Sequence, residues 1–241
     1  MVSCSDSEPE KKIELPGLKN DSLLIPSVLP LKIDTAKKIS ILEQLFLDSG
    51  LVDVRTLDSN ILVDLKYSTE KNFLGKDLYG DLSKCYLHPE VARKLLKAQQ
   101  LLKKENPGYN LLVFDGVRPR RIQWKMWEML DMSDKEKIKY VSNPKFGSLH
   151  NFGAAVDLSI ADSLGNELEM GTPFDFFGEL AYPVSEKKYL LNGKLSFRQV
   201  ENRKLLRKVM HGAGFFNIQT EWWHFNSCYR KEAIKKYKLI E

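Results

Sequence analysis

The sequence predicts an α+β fold in which helices flank a mainly antiparallel central sheet. Three observations carry that expectation. Four segments place apolar residues at helical spacing. Short runs rich in β-branched and aromatic residues lie between and beyond them. The two kinds alternate irregularly, without the even spacing that βαβ units impose, and no internal repeat is visible. With 241 residues, 43% of them apolar, the chain is long enough to bury a core as one domain.

Residues 1–33 hold Pro9, Pro16, Pro26 and Pro30 amid polar residues, a composition that neither forms helix nor buries much surface. They are expected to be an arm or spacer ahead of a single domain over residues 34–241. From Thr35, the residues Ala36, Ile39, Leu42, Leu45 and Phe46 recur at helical spacing and stop before Gly50. Val52 to Tyr67 reads as strand-rich, with a turn at Leu57-Asp58-Ser59-Asn60. His88 to Lys104 is a helix: Pro89 occupies its first turn, and Asn106-Pro107-Gly108 ends it. Tyr109 to Phe114 follows as a buried strand, and Arg120 to Leu130 as a helix after Pro119. Ala154 to Ile160 reads as a strand and residues 199–211 as a helix stopped by Gly212-Ala213-Gly214. Phe215 to Phe225 is expected to be one aromatic strand. A solvated helix is expected around Lys235, Lys236 and Lys238.

The net charge of +5 is dispersed, with 37 basic residues mixed among 32 acidic ones, and no Lys/Arg block has the length of a nucleic-acid arm. No nucleic-acid partner is expected. Cys85 and Cys228 are too few and too scattered for a disulfide framework and read as buried thiols. Cys4 stands apart, because Val2-Ser3-Cys4 before a polar, acidic stretch is like the end of a bacterial lipoprotein signal. Two readings stay open: a lipid on Cys4 that tethers the protein outside the cytoplasmic membrane, or a plain polar terminus on a cytoplasmic protein. No segment approaches the ~20 apolar residues of a spanning helix.

Two clusters carry chemistry. In the first, Ser148 to Asp157, the carboxylate of Asp157 alternates with Val156, Leu158 and Ile160 along a strand and is expected beside a polar surface. A reversal near Gly153 brings His150 back toward it. In the second, Thr220 to Phe225, His224 adds a third nitrogen or oxygen donor, and Glu221 a carboxylate three residues away. Two of the four histidines fall in these clusters. A catalytic zinc site takes three protein ligands of this kind and leaves one position open. A base that is not a ligand must then reach the activated water, and Glu221 is the candidate. On an ideal strand Glu221 and His224 face opposite ways, so either a bulge intervenes or Glu221 precedes the strand. His-Glu-x-x-His is absent, which excludes the helical zincin arrangement. His88 and His211 read as a helix-start and a helix-end residue.

Ser-x-His-x-x-Gly-x-Ala-x-Asp followed by Glu-x-x-His resembles the D-alanyl-D-alanine dipeptidases of the VanX type, among the zinc D,D-peptidases that share a fold with Hedgehog domains. The segments Val63 to Lys76, Phe114 to Pro119, Met170 to Phe176 and Glu221 to Phe225 extend the likeness over residues 50 to 227. The resemblance implies one Zn2+ per chain on His150, Asp157 and His224, with Glu221 as general base and acid and Arg118 polarising the scissile carbonyl. It implies that Asp175 binds the dipeptide's ammonium, against a plain reading of Asp175 as a helix N-cap before Phe176-Phe177. Tyr67, Asn72 and Ser148 are implied as substrate-pocket residues. The expected activity is hydrolysis of D-alanyl-D-alanine to two D-alanines. The alternatives are a D,D-carboxypeptidase acting on longer peptidoglycan stem peptides and a zinc-stabilised binding module without activity.

Overall fold

The computed structural model describes residues 39–241, which belong to one unit spanning Lys38–Glu241. The expected arm over residues 1–33, with Cys4, lies outside the described residues, as do Thr35 and Ala36. Helix α1 (Ile41–Asp48) starts where the Ser40 hydroxyl accepts from the Glu43 amide at 3.1 Å.

The stretch expected to be strand-rich is mostly turns. It contributes only β1 (Val52–Asp53) and β2 (Leu62–Val63), separated by a 3-10 turn over Val54–Thr56 and followed by another over Lys66–Ser68. The reason lies in two aspartates. Asp53 Oδ1 accepts from the Arg55 amide at 3.1 Å and Asp58 Oδ1 from the Asn60 amide at 2.9 Å, so their side chains draw the backbone out of a ladder. Strand β3 (Tyr86–Leu87) pairs with β1 in a separate two-stranded sheet.

Helix α2 (Pro89–Glu105) is capped by His88, whose Nδ1 accepts from the Glu90 amide at 3.4 Å. After it come β4 (Asn110–Asp115), α3 (Arg120–Met129), the single turn α4 (Asp134–Lys137) and β5 (Ala155–Ala161). Helix α5 (Glu186–Leu191), which no sequence pattern announced, precedes α6 (Phe197–Gly212), opened by a capping box between Ser196 and Gln199. Strands β6 (Phe216–Asn217) and β7 (His224–Asn226) and helix α7 (Arg230–Lys236) complete the chain.

The main sheet has the order β2-β4-β5-β7-β6, parallel between β2 and β4 and antiparallel elsewhere. Helices α2 and α6 lie side by side across β4 and β5. They approach closely at Gly212, where a Cβ would stand 2.9 Å from the Leu101 side chain. Every residue of the central strand β5 is buried, yet Asp157 lines a cavity among polar side chains, on the opposite side of the strand from Val156 and Leu158 as the alternation predicts.

Two further expectations change. The single aromatic strand over 215–225 is a hairpin of β6 and β7, joined by residues 218–223, with Trp222 buried in the connection and donating to Thr172 Oγ1 at 2.8 Å. The C-terminal tail keeps its lysines exposed but is docked. The amide of Ile240 donates to the Asn151 carbonyl at 2.8 Å, and Ile240 and Ala233 are buried. This ties the tail to the turn that carries His150.

Candidate active site

Register assembles the centre of the site. Across the sheet Asp115 pairs with Asp157, and Asp157 with His224, so three polar residues from three strands form one row. The row depends on a bulge in β4 between Val113 and Asp115. Without the extra residue, Phe114 would stand opposite Asp157; with it, Asp115 turns to the face of the carboxylate. His150 reaches the same point from the 3-10 turn Leu149–Phe152, which closes on Gly153 at φ +59°. A side chain there would press on the His88 amide, 2.9 Å from a Cβ, so only glycine lets the chain reverse so tightly.

The donor atoms of His150, Asp157 and His224 all lie within 4.8 Å of one another. His150 Nε2 is 3.2 Å from His224 Nδ1 and 3.4 Å from Asp157 Oδ2, and His224 Nδ1 is 2.9 Å from Asp157 Oδ1. The outer nitrogens settle which atoms face inward. His150 Nδ1 donates to the Gly116 carbonyl at 2.7 Å and His224 Nε2 to Asn226 Oδ1 at 2.9 Å, so once His224 Nδ1 gives up the proton it shares with Asp157, its lone pair and that of His150 Nε2 aim at one spot. Burial works against a charge on His224, yet the hydrogen bond and negative charge of Asp157 push its pKa up to about 9. Asp157 is buried too, but the two imidazoles hold its carboxyl well below the usual range. The trio therefore demands positive charge at its centre, and two imidazoles with a carboxylate form a donor set that fits a divalent metal. Replacing Asn226 with alanine is expected to lower metal affinity about 10- to 100-fold through loss of this outer bond, read by competition with a fluorescent chelator.

Arg118 stands beside the trio, 3.6 Å from Asp157 Oδ2 through Nη2. Asp115 holds it with hydrogen bonds from Nε at 2.9 Å and Nη2 at 2.6 Å, while Asp115 Oδ1 accepts from the Tyr79 hydroxyl at 2.8 Å and the Gly116 amide at 3.0 Å. The guanidinium lies 4.9 Å from the centre of the Tyr67 ring. Burial alone would favour loss of its proton, but Asp115 outweighs it and keeps the charge firmly in place. The Arg118 amide also donates to the His150 carbonyl at 3.0 Å, and Asn151 Nδ2 donates to the Arg118 carbonyl at 2.8 Å, so the two loops are laced together.

Glu221 lies in the connection before β7, which resolves the facing problem without a bulge in β7. Its carboxylate lines the cavity and has no hydrogen-bond donor among the described residues. Burial raises its pKa, with Asp157 adding to the effect and His224, His150 and Arg118 opposing it. Asp175 lines the same cavity of about 330 Å³, at the small end for ligand sites. No helix starts there, which removes the N-cap reading. Its φ of +59° makes it the one non-glycine residue with positive φ among the described residues, a conformation that aspartate tolerates. The Tyr67 hydroxyl reaches both of its oxygens, at 3.2 and 3.1 Å, and burial followed by repulsion from Asp157 pushes its carboxyl well above the usual range. Ser148 also lines the cavity. Asn72 does not: its amide nitrogen donates to the carbonyls of Lys66, Thr69 and Lys76, and its oxygen accepts from the Leu74 amide, so it closes its own loop.

A family model described as D-ala-D-ala dipeptidase, peptidase family M15, matches residues 48–237. The chain belongs to this family. It is 31% identical over 175 residues to the D-alanyl-D-alanine dipeptidase of Escherichia coli (strain K12), covering 73% of this chain and 83% of that one. Identity to the dipeptidase of the same description from Enterococcus faecium is 32% over 180 residues, 67% of this chain and 83% of the relative. For Enterococcus faecalis (strain ATCC 700802 / V583) it is 30% over 196 residues, 75% and 89%. Family membership makes the chain a peptidase, and the matched region runs through α7, taking in a tail that the motif resemblance left out. Two residues of this M15 peptidase went unassigned in the sequence. Asp115 stood without a role of its own inside the Phe114 to Pro119 segment of the resemblance, and Asn226 was visible only as the second residue after a candidate ligand.

Proposed function

We propose that the chain is a zinc-dependent D,D-dipeptidase that hydrolyses D-alanyl-D-alanine to two D-alanines. The observation that carries this reading is the placement of Asp175, a carboxylate paired among the described residues only with tyrosine, in the same small cavity as the His150, Asp157 and His224 donors and Glu221, which has no hydrogen-bond donor among the described residues. An ammonium is the natural partner for such a carboxylate, and it restores the ionised form that burial disfavours. The dipeptidase relatives support the same substrate.

His150, Asp157 and His224 would hold the zinc, which when bound supplies Lewis acidity and lowers the pKa of water toward ~7. Asp175 and Tyr67 bind the substrate ammonium and fix the scissile peptide over the donors. Glu221 accepts the proton of the attacking water and returns it to the leaving amine nitrogen. Arg118, held rigid by Asp115, offers positive charge to the carbonyl oxygen as it becomes an oxyanion. A binding module would have no use for a free base at this point.

The test is D-alanine release by zinc-loaded protein from D-alanyl-D-alanine and from its N-acetyl derivative. The free dipeptide is expected to be cleaved at least about 100-fold better, because N-acetylation leaves the Asp175 carboxylate desolvated and unpaired. Asp175→Asn keeps the shape and the positive φ, and is expected to lower kcat/KM for the dipeptide about 10- to 100-fold while narrowing this preference. Preference for the blocked peptide would instead make the chain a D,D-carboxypeptidase and remove the role of Asp175. No release from either would sink the reading.

A further inference from the structure

A dipeptide has two charged ends, and the residues above account for one. Among the arginines lining the cavity, Arg118 is committed to Asp115. Arg230 is not. It is the first residue of α7, exposed at the cavity rim, and it has no carboxylate within ion-pair distance among the described residues. Its one side-chain hydrogen bond among the described residues runs from Nη1 to the Gly147 carbonyl at 2.7 Å. A guanidinium carries five N–H donors in a planar fork, so most of them remain to be satisfied.

The position of that single bond matters. Gly147, at φ +70°, immediately precedes Ser148 and the turn that brings in His150, whereas Arg230 follows β7, which brings in His224. The bond therefore spans the walls that carry two of the three metal donors and anchors the guanidinium between them. The neighbouring hydroxyl is already engaged, since Ser148 Oγ donates to Gln123 Oε1 at 2.9 Å. Ser148 thus has no proton left for an anion, and Arg230 is the charged donor on this side of the cavity. Lys139 also lines the rim, but it lies within electrostatic reach of Glu136.

We propose that Arg230 binds the free α-carboxylate of the substrate, so that the cavity recognises a zwitterion, with the ammonium at Asp175 and the carboxylate at Arg230. This rests on the dipeptidase reading and extends it. A forked guanidinium matches a carboxylate through two parallel hydrogen bonds, and an amide in its place offers one acceptor and no charge. The ligand class is peptides with an unblocked C-terminus.

Binding separates this proposal from turnover. In zinc-loaded Glu221→Gln protein, calorimetry is expected to give about 10- to 100-fold tighter binding of D-alanyl-D-alanine than of D-alanyl-D-alaninamide. Adding Arg230→Gln is expected to bring the two affinities together, Arg230→Lys to restore part of the gap, and Lys139→Gln to leave it intact. Loss of the Gly147 bond alone would weaken both ligands alike, so the acid-to-amide ratio distinguishes recognition from scaffolding. A ratio near one in protein that retains Arg230, a ratio that survives Arg230→Gln, or binding of neither ligand overturns the proposal. Acid preference with no D-alanine release by the Glu221-intact protein would overturn the dipeptidase reading and leave the Arg230 site standing.

Discussion

Glu221→Gln protein loaded with zinc is expected to turn over D-alanyl-D-alanine about 100- to 10,000-fold more slowly than the parent while keeping its full metal content. The substitution is close to isosteric, so the cavity keeps its shape. What disappears is the ability to take up a proton. Glu221 is suited to that task because burial raises its pKa, and a stronger base accepts the water's proton more readily. It is also free, with no donor among the described residues competing for its lone pairs. Stability is expected to hold or rise slightly, because a desolvated carboxylate without a hydrogen-bond partner is replaced by a neutral amide. Coupled detection of D-alanine, metal per chain by mass spectrometry and a thermal melt read the three quantities separately. Undiminished turnover removes Glu221 from the proton transfers. Loss of metal instead makes it a ligand.

What could be read along the chain was local. Helices α2 and α6 were legible because their boundaries are written in adjacent residues: His88-Pro89 at one start, and Gly212 and Gly214 at the other end. That His150, Asp157, His224 and Glu221 would meet at one cavity was legible because histidines are few and each pair sits in a short motif. The non-local parts were not. Whether Asp115 or Phe114 stands opposite Asp157 depends on one extra residue in β4, and no periodicity within β4 reveals its pairing with β5. The 52–67 segment has strand-like composition, but Asp53 and Asp58 redirect its backbone through side-chain hydrogen bonds that compete with any ladder. Asn72 fails as a pocket residue for a similar reason, since loop closure uses both ends of its amide. Arg230 lies past the last motif, and its place at the cavity rests on a contact with Gly147, 83 residues earlier in the chain, that no local pattern announces.

The Arg118 and Asp115 pair is where stability and chemistry should come apart most clearly. Arg118→Met leaves the fully buried Asp115 carboxylate, among the described residues, with only the Tyr79 hydroxyl and the Gly116 amide as donors. That loss is expected to destabilise the fold by about 3–5 kcal/mol, the usual consequence of removing one member of a buried pair. Turnover is expected to fall about 100- to 1,000-fold as the positive charge beside the developing oxyanion goes. Asp115→Asn frees the guanidinium to swing toward Asp157, which it already approaches to 3.6 Å, and so to compete with a metal for the same carboxylate. Activity and metal affinity should therefore fall together in that variant. In the double variant, Arg118→Met with Asp115→Asn, neither buried charge is left alone. Much of the stability is expected to return, giving a coupling energy of about 1–3 kcal/mol in a denaturant-melt cycle. Turnover is expected to stay as low as in Arg118→Met, because a neutral amide and a thioether bring no positive charge to the carbonyl. A double variant that regained turnover along with stability would reduce Arg118 to a scaffold for its loop. Additive losses of stability would mean that Asp115 is held by Tyr79 and Gly116 rather than by the arginine.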